Sequence, residues 1–78
     1  MTARRMHGPA AKAIRVANKL PQGDAAARLD VSQGYLSNVE KGVKQPSEIF
    51  MRRYADILGV TIDAITYTLP TVAEAVSA

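Results

Sequence analysis

The chain has 78 residues, 47% of them hydrophobic but only four aromatic, which makes one small domain with an aliphatic, alanine-rich core near the lower size limit for folding. It has no cysteine, which excludes disulfides and thiolate metal sites and fits a reducing cytoplasm. Net charge is +3 but unevenly placed: residues 1–59 hold ten cations against five acids, a net of +5, and residues 60–78 hold only Asp63 and Glu74; a basic body points to a polyanionic partner, although ordinary solubility charge explains it equally simply.

No apolar run approaches the roughly 20 residues of a membrane span, and MTARRMHGPAAK lacks the apolar centre of a secretory signal. Residues 1–8 are expected to form a flexible basic arm. Its Arg4 and Arg5 either follow a phosphate backbone or minor groove, or touch nothing. His7 is the only histidine and has no second ligand beside it, so no metal site is expected. Pro9 to Lys19 reads as the first helix: Pro9 suits the first helical position and Ala10, Ala11, Ala13 and Ala17 favour helix. Its apolar stripe is Ile14, Ala17 and Leu20, optionally with Ala13, and Arg15 lies beside the stripe.

A second helix is expected over about Gln22 to Leu29. Its start is ambiguous: either Pro21 is the first helical residue or Asp24 caps a helix beginning almost a turn later. The Ala25-Ala26-Ala27 run is small enough for another helix to pack closely across it. Asp30 occupies a turn that calls for a left-handed backbone.

The third helix, about Gln33 to Lys41, has Ser32 as N-cap and Gly42 as a left-handed stop. Leu36 and Val39 point inward. Gln33, Ser37 and Lys41 recur every fourth residue with Gly34 and Asn38 beside them, making an uncharged amide- and hydroxyl-rich strip that ends in one cation. Such a face suits a DNA major groove: amides match base edges, nothing acidic repels phosphate, and small residues permit close approach. Pro46-Ser47 opens a fourth helix with the buried stripe Met51, Tyr54, Ala55 and Leu58, ended by Gly59. Thr61 then caps a short fifth helix carrying Ile62 and Ile65. After Pro70, TVAEAVSA is either a further helical turn or a frayed end. The expected organisation is an arm (1–8), a folded domain (9–67) and a tail (68–78).

From Ile14 to Ile65 the residues resemble the Cro/phage-repressor (XRE-like) helix-turn-helix domain. The matching positions are Arg15, Gln22, Ala26, Val31-Ser32, Tyr35-Leu36-Ser37, Val39-Glu40-Lys41-Gly42, Pro46-Ser47 and Ala55-x-x-Leu58-Gly59-Val60. The run YLSNVEKG followed by PS is the specific part. The resemblance implies an all-α, compact five-helix lambda-repressor-like fold with the helix-turn-helix at helices 2 and 3. It implies base contacts from Gln33, Gly34, Ser37 and Asn38, with Gly34 leaving one base unread. It implies phosphate contacts from Gln22, Ser32, Tyr35, Lys41 and Lys44. Arg15 and Glu40 correspond to a charged pair buried between helices 1 and 3, which fixes the angle of the recognition helix. Two positions depart from the family pattern: Asp30 stands for a turn glycine and Ala25 for a larger apolar residue.

The expected function is that of a sequence-specific double-stranded DNA-binding regulator, a small Cro-like repressor working as a homodimer on a (pseudo)palindromic operator with half-sites roughly 34 Å apart. Ile62, Ile65, Tyr67, Leu69, Val72 and Val76 are the candidates for pairing two copies, although several of them could instead finish the core. The alternative is a small antitoxin or adaptor on the same fold, with DNA binding secondary. One histidine, no cysteine, no Gly-rich phosphate loop and no paired carboxylates leave nothing from which to build an enzyme site. No cofactor, small-molecule ligand or membrane partner is expected, and the expected compartment is a prokaryotic or phage-infected cytoplasm.

Overall fold

Side-chain caps mark the starts of three of the four α-helices in the computed structural model, which describes residues 2–70. Helix α1 spans Gly8–Ala17, and the His7 side chain caps it by accepting from the Ala10 amide at 3.0 Å. Helix α2 spans Gln22–Arg28, close to the expected range, with Pro21 at the N-cap in an extended backbone and no side-chain cap, so Pro21 is not the first helical residue and Asp24 is not the cap. Asp30 turns the chain with φ 59°, the left-handed conformation its position demanded. Helix α3 spans Gln33–Glu40, with the Ser32 hydroxyl accepting from Tyr35 N at 3.0 Å, and Gly42 follows at φ 81°. Helix α4 spans Glu48–Leu58, where the Ser47 hydroxyl accepts from Phe50 N at 3.2 Å.

The expected stripe of α1 is displaced. Gly8, Ala11 and Arg15 are its buried residues, whereas Ile14 is half-buried and Ala13 and Ala17 are exposed. The cause lies in the neighbouring helix. A Cβ on Gly8 would lie 2.5 Å from the carbonyl oxygens of Val39 and Glu40, so α1 rests its smallest residue directly on the end of α3. Close approach there turns Arg15, seven residues later on the same face, into the interior.

The fifth α-helix is absent among the described residues, and the fold is not all-α. Ile62–Ala64 makes a single 3-10 turn, and the chain then extends as strand β2, Thr66–Pro70. The alternating Thr66-Tyr67-Thr68-Leu69 favours a pleated surface over a helix. Its partner is strand β1, Thr2–Met6, antiparallel in the register Met6↔Thr66, Arg4↔Thr68, Thr2↔Pro70. Thr2–Met6, expected within a flexible arm, are therefore one side of a ribbon, and Gly8 already belongs to α1. Met6 is buried, and Gln45 clamps its backbone by accepting from Met6 N at 3.0 Å and donating to Met6 O at 3.4 Å. His7 N donates to Ile65 O at 2.8 Å.

The core joins Ala11, Ala25, Ala26 and Ala55 with Leu29, Leu36, Val39, Leu58 and Ile65. Phe50 stands edge-on to Tyr35 and Tyr54, with ring centroids 5.8 and 6.1 Å away. Ile65 is fully buried and cannot meet a second copy, which corrects its assignment to a pairing surface. It seals the floor of the core where the 3-10 turn meets the ribbon. Ile62 packs partly against the core, Tyr67 and Leu69 are exposed, and Val72 and Val76 lie outside the described residues. Among the described residues no helix is long and apolar enough to cross a membrane.

Candidate nucleic-acid interface

Helix α3 is amphipathic in the way its composition required. Leu36 and Val39 are fully buried, while Gln33, Gly34 and Asn38 are exposed and Ser37 is half-buried at the edge of the same face. Lys41 and Lys44 follow it, both exposed. No acidic side chain occupies the outer face of α3, because its one carboxylate, Glu40, points inward and is 3% exposed.

Glu40 is the centre of a buried polar cluster. Arg15 donates from Nε to its Oε2 at 2.8 Å and from Nη2 to its Oε1 at 3.0 Å, a bidentate pair. Arg15 Nη1 also donates to Leu20 O at 2.9 Å. The Tyr54 hydroxyl donates to Glu40 Oε2, and Gln22 Nε2 donates to Oε1 at 3.0 Å. Every buried side-chain polar atom among the described residues has a partner. Burial pushes the Glu40 carboxyl up, but donors from Arg15, Tyr54 and Gln22 outweigh it and hold the group below the ordinary glutamate range. Hydrogen bonding to Glu40 raises Arg15 despite its desolvation, and burial first, then the bond to Glu40, raises the Tyr54 phenol.

A pH dependence follows from the sign of the Glu40 shift. A carboxyl depressed in the folded state gives stability that is complete above the unfolded pKa and is lost as pH falls through the folded one. Chemical unfolding is therefore expected to be insensitive to this group at neutral pH and to ease only below the ordinary glutamate range. In Glu40→Gln that acid-limb contribution should vanish; a wild-type acid limb unchanged by the substitution would refute the assignment.

Gln22, expected to donate to phosphate, turns one amide donor inward to Glu40, and its Oε1 accepts from Gln33 Nε2 at 3.3 Å. Ser32 is exposed with its oxygen engaged in the cap, and Tyr35 is half-buried against Phe50. Arg4 does not trail freely: it pairs with Glu48 at 3.1 Å and Asp63 at 2.9 Å and donates to the Thr66 hydroxyl at 2.9 Å. Arg5 is exposed on the opposite face of the ribbon, across from Tyr67. Sequence reasoning missed Gln45 and the caps at His7 and Asn18, whose amide donates to Leu58 O at 3.0 Å. His7 stood one residue ahead of Gly8-Pro9, a position from which a side chain caps. Gln45 had no signal, because its partner is a backbone far away in sequence.

The turn between α2 and α3, the buried pair behind α3 and its uncharged outer face coincide with a family model described as helix-turn-helix, which matches residues 12–65. The chain belongs to the helix-turn-helix family, of the XRE type. Among solved helix-turn-helix proteins it is similar to the clp gene regulator ClgR from Corynebacterium glutamicum, with 29% identity, TM-score 0.71, and 73% of this chain and 62% of ClgR covered. It is also similar to a chain of the SinR–SinI complex, with 26% identity, TM-score 0.67, and coverage of 73% and 56%. A third likeness is to SinR, a master regulator for biofilm formation solved in complex with DNA, at 25% identity, TM-score 0.67, and coverage of 74% and 94%. The present chain thus spans about three-fifths of the length of the first two. No curated protein gives a sequence match.

Proposed function

We propose that this helix-turn-helix chain is a sequence-specific double-stranded DNA-binding transcriptional regulator, a small Cro-like repressor that acts as a homodimer with α3 in the major groove. One observation carries the reading: Gln33, Gly34 and Asn38 are exposed on a helix whose only carboxylate is withdrawn into the core. SinR, of similar fold, is solved with DNA, and ClgR is described as a gene regulator. Gln33 and Asn38 carry amides able to pair bidentately with adenine, and Lys41 and Lys44 supply phosphate contacts with Ser32 and Tyr35 at the helix start. Tyr67 and Leu69, exposed on the ribbon, and Ile62 beside it are the remaining described candidates for joining two copies.

Selection from random duplexes, followed by specific-against-random competition with the oligomeric state measured alongside, tests this. A protein with no preference among sequences is not such a regulator. Gln33→Ala and Asn38→Ala are each expected to lower discrimination at one base position by about 1–3 kcal/mol while leaving unfolding nearly unchanged. Lys44→Ala should weaken all sequences alike and make the salt slope shallower by about one unit. A changed operator preference in Lys44→Ala would place it among the base contacts instead.

A second reading has its own support. The exposed Tyr67 and Leu69 and the SinR–SinI complex of similar fold favour an antitoxin- or adaptor-like protein partner, with DNA binding secondary. In that case the ribbon substitution Leu69→Glu would abolish partner capture and leave duplex affinity unchanged.

A further inference from the structure

The amino-terminal segment grips the end of α3 and the chain that follows it at two points. Gly8 rests so closely on the carbonyls of Val39 and Glu40 that a Cβ would not fit. Farther along, Gln45 takes hold of Met6: its Oε1 accepts from Met6 N at 3.0 Å and its Nε2 donates to Met6 O at 3.4 Å. The ribbon leaves both groups open to it. His7 N donates to Ile65 O, so by the alternation of an antiparallel ladder Met6 turns its N–H and C=O away from β2. One side-chain amide thus does what the main chain of a third strand would do. Between the two grips lie Lys41 and Lys44, both exposed and in no ion pair among the described residues. They are not held alike. Lys41 is the C-cap of α3 and its N donates to Ser37 O at 3.0 Å, so the helix itself fixes it. Lys44 lies past the left-handed turn at Gly42, its N sharing Asn38 O with Val43 at 3.2 and 2.9 Å, and its next neighbour is Gln45.

We propose that Gln45, by clamping the main chain of Met6, positions Lys44 for a DNA phosphate, so that β1 strengthens DNA binding without touching DNA. Gln45 is the positioning residue and Lys44 the contact. Two anchors, Asn38 O on one side and the Met6 backbone on the other, hold the Lys44 main chain in place. With the second anchor removed, the stretch from Gly42 to Pro46 is ordered only at the moment of binding, and that ordering is subtracted from affinity. The loss is uniform over sequences, because a phosphate contact carries no base information. The proposal rests on the DNA reading above and adds to it a dependence on the ribbon. A glutamine that merely covered the edge of β1 against stray strand pairing would leave Lys44 untouched.

Gln45→Met keeps the length of the side chain and removes both of its bonds to Met6. In the DNA-free full chain, hydrogen exchange at the Met6 and Lys44 amides is expected to quicken in this variant, while that of His7, bonded to Ile65 O, holds. A Lys44 amide indifferent to Gln45→Met overturns the proposal whatever the DNA result. Affinity for a random-sequence duplex is then measured for the wild type, Gln45→Met, Lys44→Ala and the two substitutions together. Gln45→Met alone is expected to weaken binding about three- to tenfold, but to weaken the Lys44→Ala protein further by no more than about twofold. A partial loss of folding, or a direct contact of Gln45 with phosphate, would weaken both backgrounds by the same factor, and such an additive cycle overturns the positioning role. So does a changed preference among base pairs in Gln45→Met. A wild type that binds no duplex overturns the DNA reading and with it any role of Lys44, whereas the exchange rates at Met6 and Lys44 still test the clamp.

Discussion

Glu40→Ala is expected to remove about 3–5 kcal/mol of folding stability, the usual cost of stranding one member of a buried ion pair. A domain of this length has roughly 4–12 kcal/mol in total, so the variant should be largely or wholly unfolded at modest urea. Three donors lose their acceptor together. Arg15, 6% exposed, keeps only Leu20 O; Tyr54, fully buried, is left with an unpaired hydroxyl; and Gln22 loses its inward partner. The net worth of the intact pair is a separate quantity. Because desolvation offsets much of the Coulomb gain, the triple replacement Arg15→Met, Glu40→Leu, Tyr54→Phe should recover most of the loss. Urea titrations followed by circular dichroism measure both. A loss under about 1 kcal/mol in Glu40→Ala would mean that Arg15 reaches water and that the cluster is not closed.

Gly8→Ala is expected to cost about 3 kcal/mol, at the upper end for overpacking. The obstacle explains the size. The new methyl would sit 2.5 Å from the Val39 and Glu40 carbonyl oxygens and 2.7 Å from Glu40 C, all main chain, which no rotamer change can move aside. Helix α1 must back away from α3, carrying Arg15 away from Glu40. Gly34→Ala supplies the contrast, since nothing lies within 4 Å of a Cβ there and α3 should gain up to ~1 kcal/mol in helix propensity. Opposite signs in thermal melts of the two variants would locate the close packing at residue 8. A neutral Gly8→Ala would mean that the helices are not in contact there.

Helices α2, α3 and α4 were legible because their signals are local. Ser32 and Ser47 cap from one turn away, Asp30 and Gly42 adopt the left-handed backbone their positions required, and the buried stripe of α4 follows helical spacing. Only Phe50 was missing from that stripe; it lies one turn before Tyr54 on the same face, and its other ring partner, Tyr35, comes from α3. The face of α1 was misread because apolarity ranked Ile14 above Gly8, whereas interhelical distance decided the matter in favour of the residue with no side chain. The ribbon was missed for a related reason. Thr2–Met6 has no strand signature alone, and becomes a strand only because β2, some sixty positions later, offers it hydrogen bonds and Arg4 finds Glu48 and Asp63. In the candidate site, the exposure of Gln33, Gly34 and Asn38 followed from periodicity. The inward turn of Gln22 did not, because it depends on a carboxylate eighteen residues away in another helix.

Pairing Thr2 with Pro70 brings the two ends of the described segment side by side. Circular permutation is thereby open to this domain: a short polar linker could join position 2 to position 70, with new ends cut elsewhere on the surface. The segment between α3 and α4 would be a poor choice for the cut despite the exposure of Val43, since Gln45 there holds the Met6 backbone from outside the ribbon. Any cargo joined directly ahead of Thr2 would begin beside the Pro70 end of β2.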